Sequence, residues 1–246
     1  MFDEGQFKGV VVNLINEIET TQHENIEKAG VLIGQALSNE GVLHVFSTGH
    51  SHMIAEELFY RAGGLIQVNP IFDTNLMLHE GPIRGTALER LPGYAAAIFK
   101  TIIFNDGEPI IIMSNSGINA VPIEMALLAK ENGMKVIAIT SVGISSTLKS
   151  RHPSGMKLMD TADIVIDNYL KDGDAVLAIP GTGQKVGAVS SIAAMYIAQR
   201  IVLSVISEFL RNGKVPPVFM SANIPGGDEH NARLIEKYKK KIRSLY

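Results

Sequence analysis

"MSNSGINAVPIEMALLAKENGMKVIAITS", residues 113–141, decides the fold of this chain. The stretch begins at the end of an apolar run (109–113), passes through a segment typical of a helix (121–133) and closes on a second apolar run (135–141). Neither run shows the polar–apolar alternation of a strand that faces solvent on one side. The pattern therefore predicts two strands buried on both faces, which is typical of a parallel sheet between layers of helices.

Strand and helix alternate in the same way along the rest of the chain. Further strands are expected at 42–46, 65–70, 162–167 and 175–181, helices at 7–38, 53–64, 94–104 and 185–211 and in the charged C-terminal segment, and irregular structure at 71–93 and 215–231. This order predicts an α/β fold, a three-layer α/β/α sandwich around a mainly parallel, flavodoxin-like sheet. One domain of residues 1–246 accounts for the whole chain.

Composition excludes several classes of function. The net charge of the 246 residues is −3, so we expect no nucleic-acid or membrane partner. Cysteine is absent, which excludes disulfides, thiolate catalysis and cysteine zinc sites. Acidic residues precede the first apolar run, and no apolar stretch reaches the length of about 18 residues that a membrane span requires. We therefore expect a cytoplasmic protein.

Two serine- and glycine-containing loops are expected at the same edge of the sheet. "STGHS" (47–51) follows the first strand, and "SNSGIN" (114–119) follows the strand that ends at Met113. Each loop leads into a helix, where free N–H groups and the positive end of the helix dipole favour an anion. A tetrahedral phosphate accepts hydrogen bonds from several directions, so it suits these loops better than a carboxylate. The alternative is ordinary helix capping and turn formation.

The two loops carry a family resemblance. "FSTGHSHMIAEELFYRAGG" (46–64) resembles the first motif of the SIS sugar-phosphate domain, Gly-x-Gly-x-Ser-x-x-x-Ala after a strand. Gly49, Ser51 and Ala55 match that motif, and Ser47 stands in place of its first glycine. "SGMKLMDTADIVID" (154–167) resembles the third motif of the same domain.

The second motif, Ser-x-Ser-Gly-x-Thr followed by a helix and a strand, is the most specific part of the resemblance. Ser114, Ser116 and Gly117 match it, and Asn119 stands where threonine is usual. The similarity covers residues 30–210 and is closest to a bacterial branch of the family that resembles phosphoheptose isomerases. It implies a phosphorylated sugar as ligand and a homodimer whose subunits both line the site. The implied ligand-binding residues are Gly49, His50, Ser51, Ser114, Asn115, Ser116, Gly117, Asn119 and Ser190.

An aldose–ketose isomerase needs a base that moves a proton between adjacent carbons and an acid that opens the sugar ring. By its resemblance to a glutamate-bearing stretch of the phosphoheptose isomerases, Glu57 is the expected base. Glu80 is its rival, because another branch of the family carries a base in the loop after the second strand. His79 or His230 is the expected acid. The alternative for each carboxylate is a solvated or helix-capping charge.

His52 and Glu56 raise the question of whether the protein binds a metal ion or has no cofactor. His52 and Glu56 are four residues apart, so both side chains share one helix face, and phosphoheptose isomerases can use zinc. The further ligands implied by that resemblance are a glutamine and a histidine on a late helix. Residues 185–211 contain Gln199 and no histidine. We therefore expect no cofactor, with zinc as the alternative.

The segment "SANIPGGDEHN" (221–231) is polar and rich in turn residues, which favours a loop that closes over the partner's site. Its alternative is a turn leading into the last helix, with Asp228 as the cap. The overall hypothesis is a sugar-phosphate isomerase. A non-catalytic sugar-phosphate sensor and a lyase or etherase acting on an amino-sugar phosphate are the alternatives. The lack of a DNA-binding helix-turn-helix domain and the histidines and glutamates near the loops favour the enzyme.

Overall fold

Five parallel strands form the central sheet of the structure, a computed structural model that describes residues 2–245. The strands are β1 (Leu43–Ser47), β2 (Val68–Ile71), β3 (Pro109–Met113), β4 (Lys135–Thr140) and β5 (Ile164–Asp167), in the spatial order β2-β1-β3-β4-β5. Every pairing in this sheet is parallel. The predicted flavodoxin-like α/β fold is confirmed. The terminal residues Met1 and Tyr246 of the expected domain lie outside the described residues.

Helices cover both faces of the sheet. They are α1 (Gln6–Ser38), α2 (Met53–Leu58), α3 (Pro82–Glu89), α4 (Tyr94–Phe99), α5 (Ala120–Glu131), α6 (Val142–Thr147), α7 (Leu158–Thr161), α8 (Ser190–Arg211) and α9 (Gly227–Tyr238). Helices α1, α2 and α8 share a core with one face, and α4, α5 and α7 share a core with the other. Three 3₁₀ turns (Gly49–His52, Thr74–Leu76, Arg243–Leu245) and an antiparallel hairpin of β6 (Ala175–Ala178) and β7 (Lys185–Ala188) complete the secondary structure.

Burial on both faces explains why the inner strands are apolar throughout. Along β3, Ile111 and Met113 contact the core beneath α1 and α8, whereas Ile110 and Ile112 contact the core beneath α5. All four side chains are buried. Since successive side chains of a strand point to opposite faces, a strand between two helix layers needs apolar residues at every position.

Glycines let α1 and α8 pack closely. A Cβ atom at Gly30 would lie 2.1 Å from Ser204 Oγ, and one at Gly34 would lie 2.7 Å from Glu208 Cγ. A side chain at either position would push the helices apart. Within residues 2–245, α8 is the one helix with the length and hydropathy of a membrane span, and 56% of its most apolar window is buried inside the structure.

The prediction of one long helix over residues 185–211 is wrong at its N-terminal end. Residues Lys185–Ala188 form strand β7, and the helix begins at Ser190. Asp174 fixes this boundary, because its carboxylate accepts hydrogen bonds from the backbone N–H groups of Val189 at 2.9 Å and Ser190 at 2.7 Å. A carboxylate at a helix start satisfies donors that have no partner within the helix.

Other boundaries also differ from the sequence prediction. The segment 71–93, expected to be irregular, contains α3, whose first residue is Pro82. Proline suits that position because the first helical N–H has no partner within the helix. The helix predicted at 53–64 ends at Leu58, because Phe59 is extended and Tyr60 has a φ of 46°. The helix predicted at 94–104 ends at Phe99.

The C-terminal segment lies at the amino end of the sheet. The N–H group of Ile66, just before β2, donates to Pro217 O at 3.0 Å, and Phe219 N–H donates to Gly64 O at 2.9 Å. The loop predicted at 221–231 is shorter than expected, since α9 begins at Gly227. Asp228 is also not the cap, because Gly226 occupies that position.

Candidate functional site

The two predicted loops meet at the point where the topology of the sheet reverses. Strands β1 and β3 are neighbours, but the chain leaves β1 toward β2 on one side and leaves β3 toward β4 on the other. The helices that follow, α2 and α5, lie on opposite faces. A crevice opens between two such loops, and ligands of parallel α/β sheets bind there.

The second loop (114–119) is built around Gly117. This residue has a φ of 62°, and a Cβ atom on it would lie 2.9 Å from Thr140 Oγ1. Its N–H group donates to Ser114 Oγ at 3.3 Å, and its carbonyl accepts from Leu158 N–H at 2.8 Å. Only glycine fits this conformation and this space without strain. The tight turn holds Ser116 just beyond the carboxyl end of β3.

Within this loop, Ser116 and Asn115 differ in what they can offer a ligand. Ser116 is partly exposed, and its hydroxyl forms no hydrogen bond within residues 2–245. Asn115 already forms hydrogen bonds within the protein. Its backbone carbonyl accepts from Ser141 N–H at 3.0 Å, and its side-chain Oδ1 accepts from Asn168 Nδ2 at 2.7 Å. Asn115 therefore ties the loop to the ends of β4 and β5, and Ser116 has the free donor.

Asn119 occupies the N-cap position of α5, but its side chain does not cap the helix. Instead, Asn119 Oδ1 accepts a hydrogen bond of 2.6 Å from Arg151 Nη1. The side chain is 92% buried, and its amide N–H₂ group is the end that remains for a ligand. Arg151 was not predicted as part of the site.

The first loop is the 3₁₀ turn Gly49–His52 after β1. Gly49 has a φ of 54°, Ser51 N–H donates to Thr48 O at 3.1 Å, and His50 is exposed. The Ser51 hydroxyl forms no hydrogen bond in the part of the chain that the structure describes. Thr48 Oγ1 donates to Glu89 Oε1 at 2.8 Å, which brings the end of α3 against this loop. Neither Thr48 nor Glu89 was among the predicted site residues.

Helix α8 starts beside the first loop. Ser191 Oγ lies 3.8 Å from the sulfur of Met53, the first residue of α2. The predicted ligand-binding residue Ser190 has a structural role here, since its hydroxyl donates to Asp174 Oδ2 at 2.9 Å and its side chain is buried.

Glu57 is on α2, and its side chain reaches α8. Its Oε1 atom accepts a hydrogen bond of 2.6 Å from Gln199 Nε2 and forms an ion pair with Arg61. Both contacts fall on Oε1, so Oε2 has no side-chain donor within residues 2–245. Gln199 on α8 and Arg61, in the segment after α2, thus fix the carboxylate and leave its second oxygen available for a proton.

Glu80 and His79, in contrast, lie on the surface of the segment after β2. Glu80 is 50% exposed and forms an ion pair of 3.3 Å with Arg84. The ring of His79 packs edge-on against that of His52, with 5.7 Å between the ring centroids. His79 therefore lies near the first loop. His230 lies away from the first loop, at the amino end of the sheet, where its Nε2 is 2.9 Å from Val218 O. A catalytic role for His230 therefore requires that it reach the site of a second subunit.

His52 and Glu56, the pair considered for zinc, are 3.3 Å apart across one turn. His52 Nδ1 also contacts the carbonyl oxygen of Gly49. Across the described range 2–245, no three histidine, aspartate or glutamate side chains are grouped in a way that could hold a metal ion. His52 and Glu56 alone fall short of the three or four ligands that a zinc site requires.

A sequence model of the SIS domain matches residues 6–141, more than half of the chain. The chain therefore belongs to the SIS domain family, as the two loop motifs predicted. A UPF0309 protein of Caldanaerobacter subterraneus subsp. tengcongensis is 46% identical over 94% of this chain and 95% of its own length. Among solved structures, a phosphoheptose isomerase from Francisella tularensis is similar with a TM-score of 0.53 and 16% identity over 82% of this chain and 96% of that chain. The Vibrio vulnificus NanR protein, complexed with ManNAc-6P, has a TM-score of 0.50 and 14% identity over 94% of this chain and 67% of that chain. At such identities these two structures share the fold with this chain.

Proposed function

We propose that this protein is a cytoplasmic enzyme that binds a phosphorylated sugar between the two loops and interconverts its aldose and ketose forms. The observation that supports this most is the meeting of the 49–52 and 114–119 loops at the topological switch point. The free hydroxyls of Ser51 and Ser116 supply donors there. The phosphate would bind to these groups and to the N-terminus of α5.

Isomerisation is assigned to the groups beside the first loop. Glu57 would accept the proton from C2 of the open-chain aldose on its free Oε2 and return it to C1, while the proton of the C2 hydroxyl passes to O1, so that the ketose forms with no net gain or loss of protons. His79 would assist ring opening, since it is the predicted acid that lies near the first loop within one subunit. Glu80 is the alternative base, and it is held only by the exposed pair with Arg84.

Replacing Ser116 with alanine tests the phosphate site. The change removes one charge-assisted hydrogen bond, and about 1.5–3 kcal/mol of binding free energy corresponds to a loss of roughly tenfold or more in affinity. Calorimetric titration with fructose 6-phosphate and glucosamine 6-phosphate measures the effect. Ser244→Ala, in the C-terminal 3₁₀ turn beside β2, should bind as the wild type does. Equal affinity in Ser116→Ala would place the site elsewhere.

A sensor is the second candidate function. It is favoured by the ion pair between Arg61 and Glu57, because this pair gives the Glu57 carboxylate a structural role that requires no chemistry. The proposed enzyme and the sensor both bind the sugar phosphate, and only the enzyme exchanges a carbon-bound proton with solvent.

A homodimer is proposed because α8 exposes an apolar stripe. Leu203 and Leu210 are 56% and 63% exposed on a helix that otherwise packs in the core. Light scattering should give twice the subunit mass for the wild type at micromolar concentration. The double substitution Leu203→Arg and Leu210→Arg should shift the mass toward that of one subunit, whereas Ile83→Arg, at a position 87% exposed on α3, should not. A monomeric wild type contradicts the proposal.

A further inference from the structure

Arg151 is a cation that lies against the second loop with almost all of its donors free. Its backbone N–H donates to Ile118 O at 2.8 Å, and its Nη1 donates to Asn119 Oδ1 at 2.6 Å. The guanidinium forms no other hydrogen bond and no ion pair within residues 2–245. An arginine side chain has five N–H donors, so most of them remain available to a ligand.

The backbone around Arg151 is held in place by its neighbours. Ser150 Oγ donates to Met156 O at 2.6 Å, and His152 N–H donates to Ser150 Oγ at 3.0 Å. On the other side, His152 Nδ1 lies 2.7 Å from Ser154 Oγ. Arg151 is exposed, but it projects from a compact turn that is also hydrogen-bonded to the second loop. The side chain is therefore positioned before any ligand arrives.

The carboxylate that contacts the adjacent residue His152 is already engaged. Glu124, on α5, accepts two hydrogen bonds from Gly93 N–H, at 2.7 and 2.9 Å, and lies 3.6 Å from His152 Nε2. Within residues 2–245 no carboxylate pairs with Arg151, and its guanidinium contacts the N-cap residue of α5, the end of a helix where an anion is favoured.

The contact with Asn119 explains a departure from the family motif. Threonine at that position would supply one hydroxyl donor. Here the carbonyl end of Asn119 accepts from Arg151, so the amide N–H₂ is the end left to act as a donor. The substitution thus keeps a donor in the loop and adds a positioned guanidinium beside it.

We propose that Arg151 is a specificity-determining residue that reads the phosphate of the ligand directly. While Nη1 binds Asn119, the other N–H groups of the guanidinium donate to two phosphate oxygens. The spacing of these N–H groups matches the spacing of the oxygens of a phosphate, so two parallel hydrogen bonds can form. The ligand class is a phosphomonoester dianion. This inference rests on the proposed sugar-phosphate site and adds to it a charge that the serine and glycine motif does not contain.

The test compares Arg151→Gln and Arg151→Lys with the wild type. Glutamine can still donate to Asn119 but carries no charge, and lysine keeps the charge without the fork. Lys149→Gln, an exposed residue two positions away, removes the same charge from the same turn and is the matched control. Each variant is titrated with inorganic phosphate, fructose 6-phosphate, glucosamine 6-phosphate and the two unphosphorylated sugars at several salt concentrations, and its thermal unfolding is recorded.

We expect Arg151→Gln to bind sugar phosphates about ten- to a hundredfold more weakly than the wild type, with a shallower dependence of affinity on salt. Arg151→Lys should lie between the two, and Lys149→Gln should equal the wild type. Affinity and salt dependence unchanged in both Arg151 variants, together with weaker binding in Ser116→Ala, would overturn the role of Arg151 and leave the proposed function standing. Weaker binding with an unchanged salt dependence would reduce Arg151 to a support for Asn119 and also overturn the inference. A wild type that binds none of the sugar phosphates overturns both.

Discussion

Glu57→Gln is expected to lower exchange of the C2 proton of a bound sugar phosphate by about 10²- to 10⁴-fold, the usual contribution of a general base. The amide keeps the size of the side chain and can still accept from Gln199, but it cannot take up a proton. Binding should change little, because the phosphate donors lie in other elements. Proton exchange in deuterated water, followed by magnetic resonance on each sugar phosphate that binds, measures the effect.

Two further variants make this result specific to Glu57. Glu131→Gln, at the exposed end of α5, should exchange the proton at the wild-type rate. Glu80→Gln should also remain active if Glu57 is the base. Loss of exchange in Glu80→Gln with retention in Glu57→Gln would reverse the assignment. No exchange in the wild type with any bound sugar phosphate would favour the sensor or the lyase over the isomerase.

Glu108→Leu is expected to destabilise the fold by about 3–5 kcal/mol, since it removes a buried carboxylate that accepts hydrogen bonds from several buried donors. Glu108 and His44 are buried at the amino end of the sheet, with 3.1 Å between Glu108 Oε2 and His44 Nε2. The carboxylate also accepts from Val42 N–H at 3.0 Å and from the Asn105 N–H and side chain at 2.9 Å. The substitution leaves all of these donors without an acceptor. Denaturant unfolding measures the loss, and Glu131→Leu, at an exposed site, should change stability far less.

The same carboxylate makes stability depend on pH. Burial raises the pKa of Glu108, but hydrogen bonds from His44 and Asn105 outweigh it and hold the pKa below its ordinary value. A depressed pKa contributes stability that is full above the unfolded value of about 4.3 and is lost as pH falls through the folded value. The unfolding free energy of the wild type should therefore decline below about pH 4.3 more steeply than that of Glu108→Gln, which has no charge to lose. Equal slopes would contradict this account.

The sheet and its crevice could be predicted because their signals are local. Apolar runs such as 109–113 indicate burial on both faces, and a glycine between serines after a strand indicates a tight turn. The start of α8 could not be predicted, because a distant residue decides it. Asp174, which precedes the β6–β7 hairpin, fixes the start of α8 by accepting a hydrogen bond from Ser190 N–H. The helical periodicity of residues 185–211 gives no information about that contact.

Arg151 was missed for a related reason. The segment 150–157 is not part of either phosphate motif, and only the folded chain brings it against the second loop. A weaker signal was present, since the chain emerges at the ligand edge after each strand of a parallel sheet, and Arg151 lies in the connection between β4 and β5. A basic residue in that connection was therefore a reasonable candidate.

The hydrogen bonds accepted by Asn115 restrict the motion of the second loop. By bonding to Ser141 and Asn168, this residue ties the second loop to two neighbouring strands, so the loop can shift only if the sheet end shifts with it. The first loop, by contrast, is joined to α3 by the side-chain contact of Thr48 with Glu89. We therefore expect the second loop to be the stationary wall of the crevice, and the first loop together with α3 to be the wall that adjusts to ligands of different length.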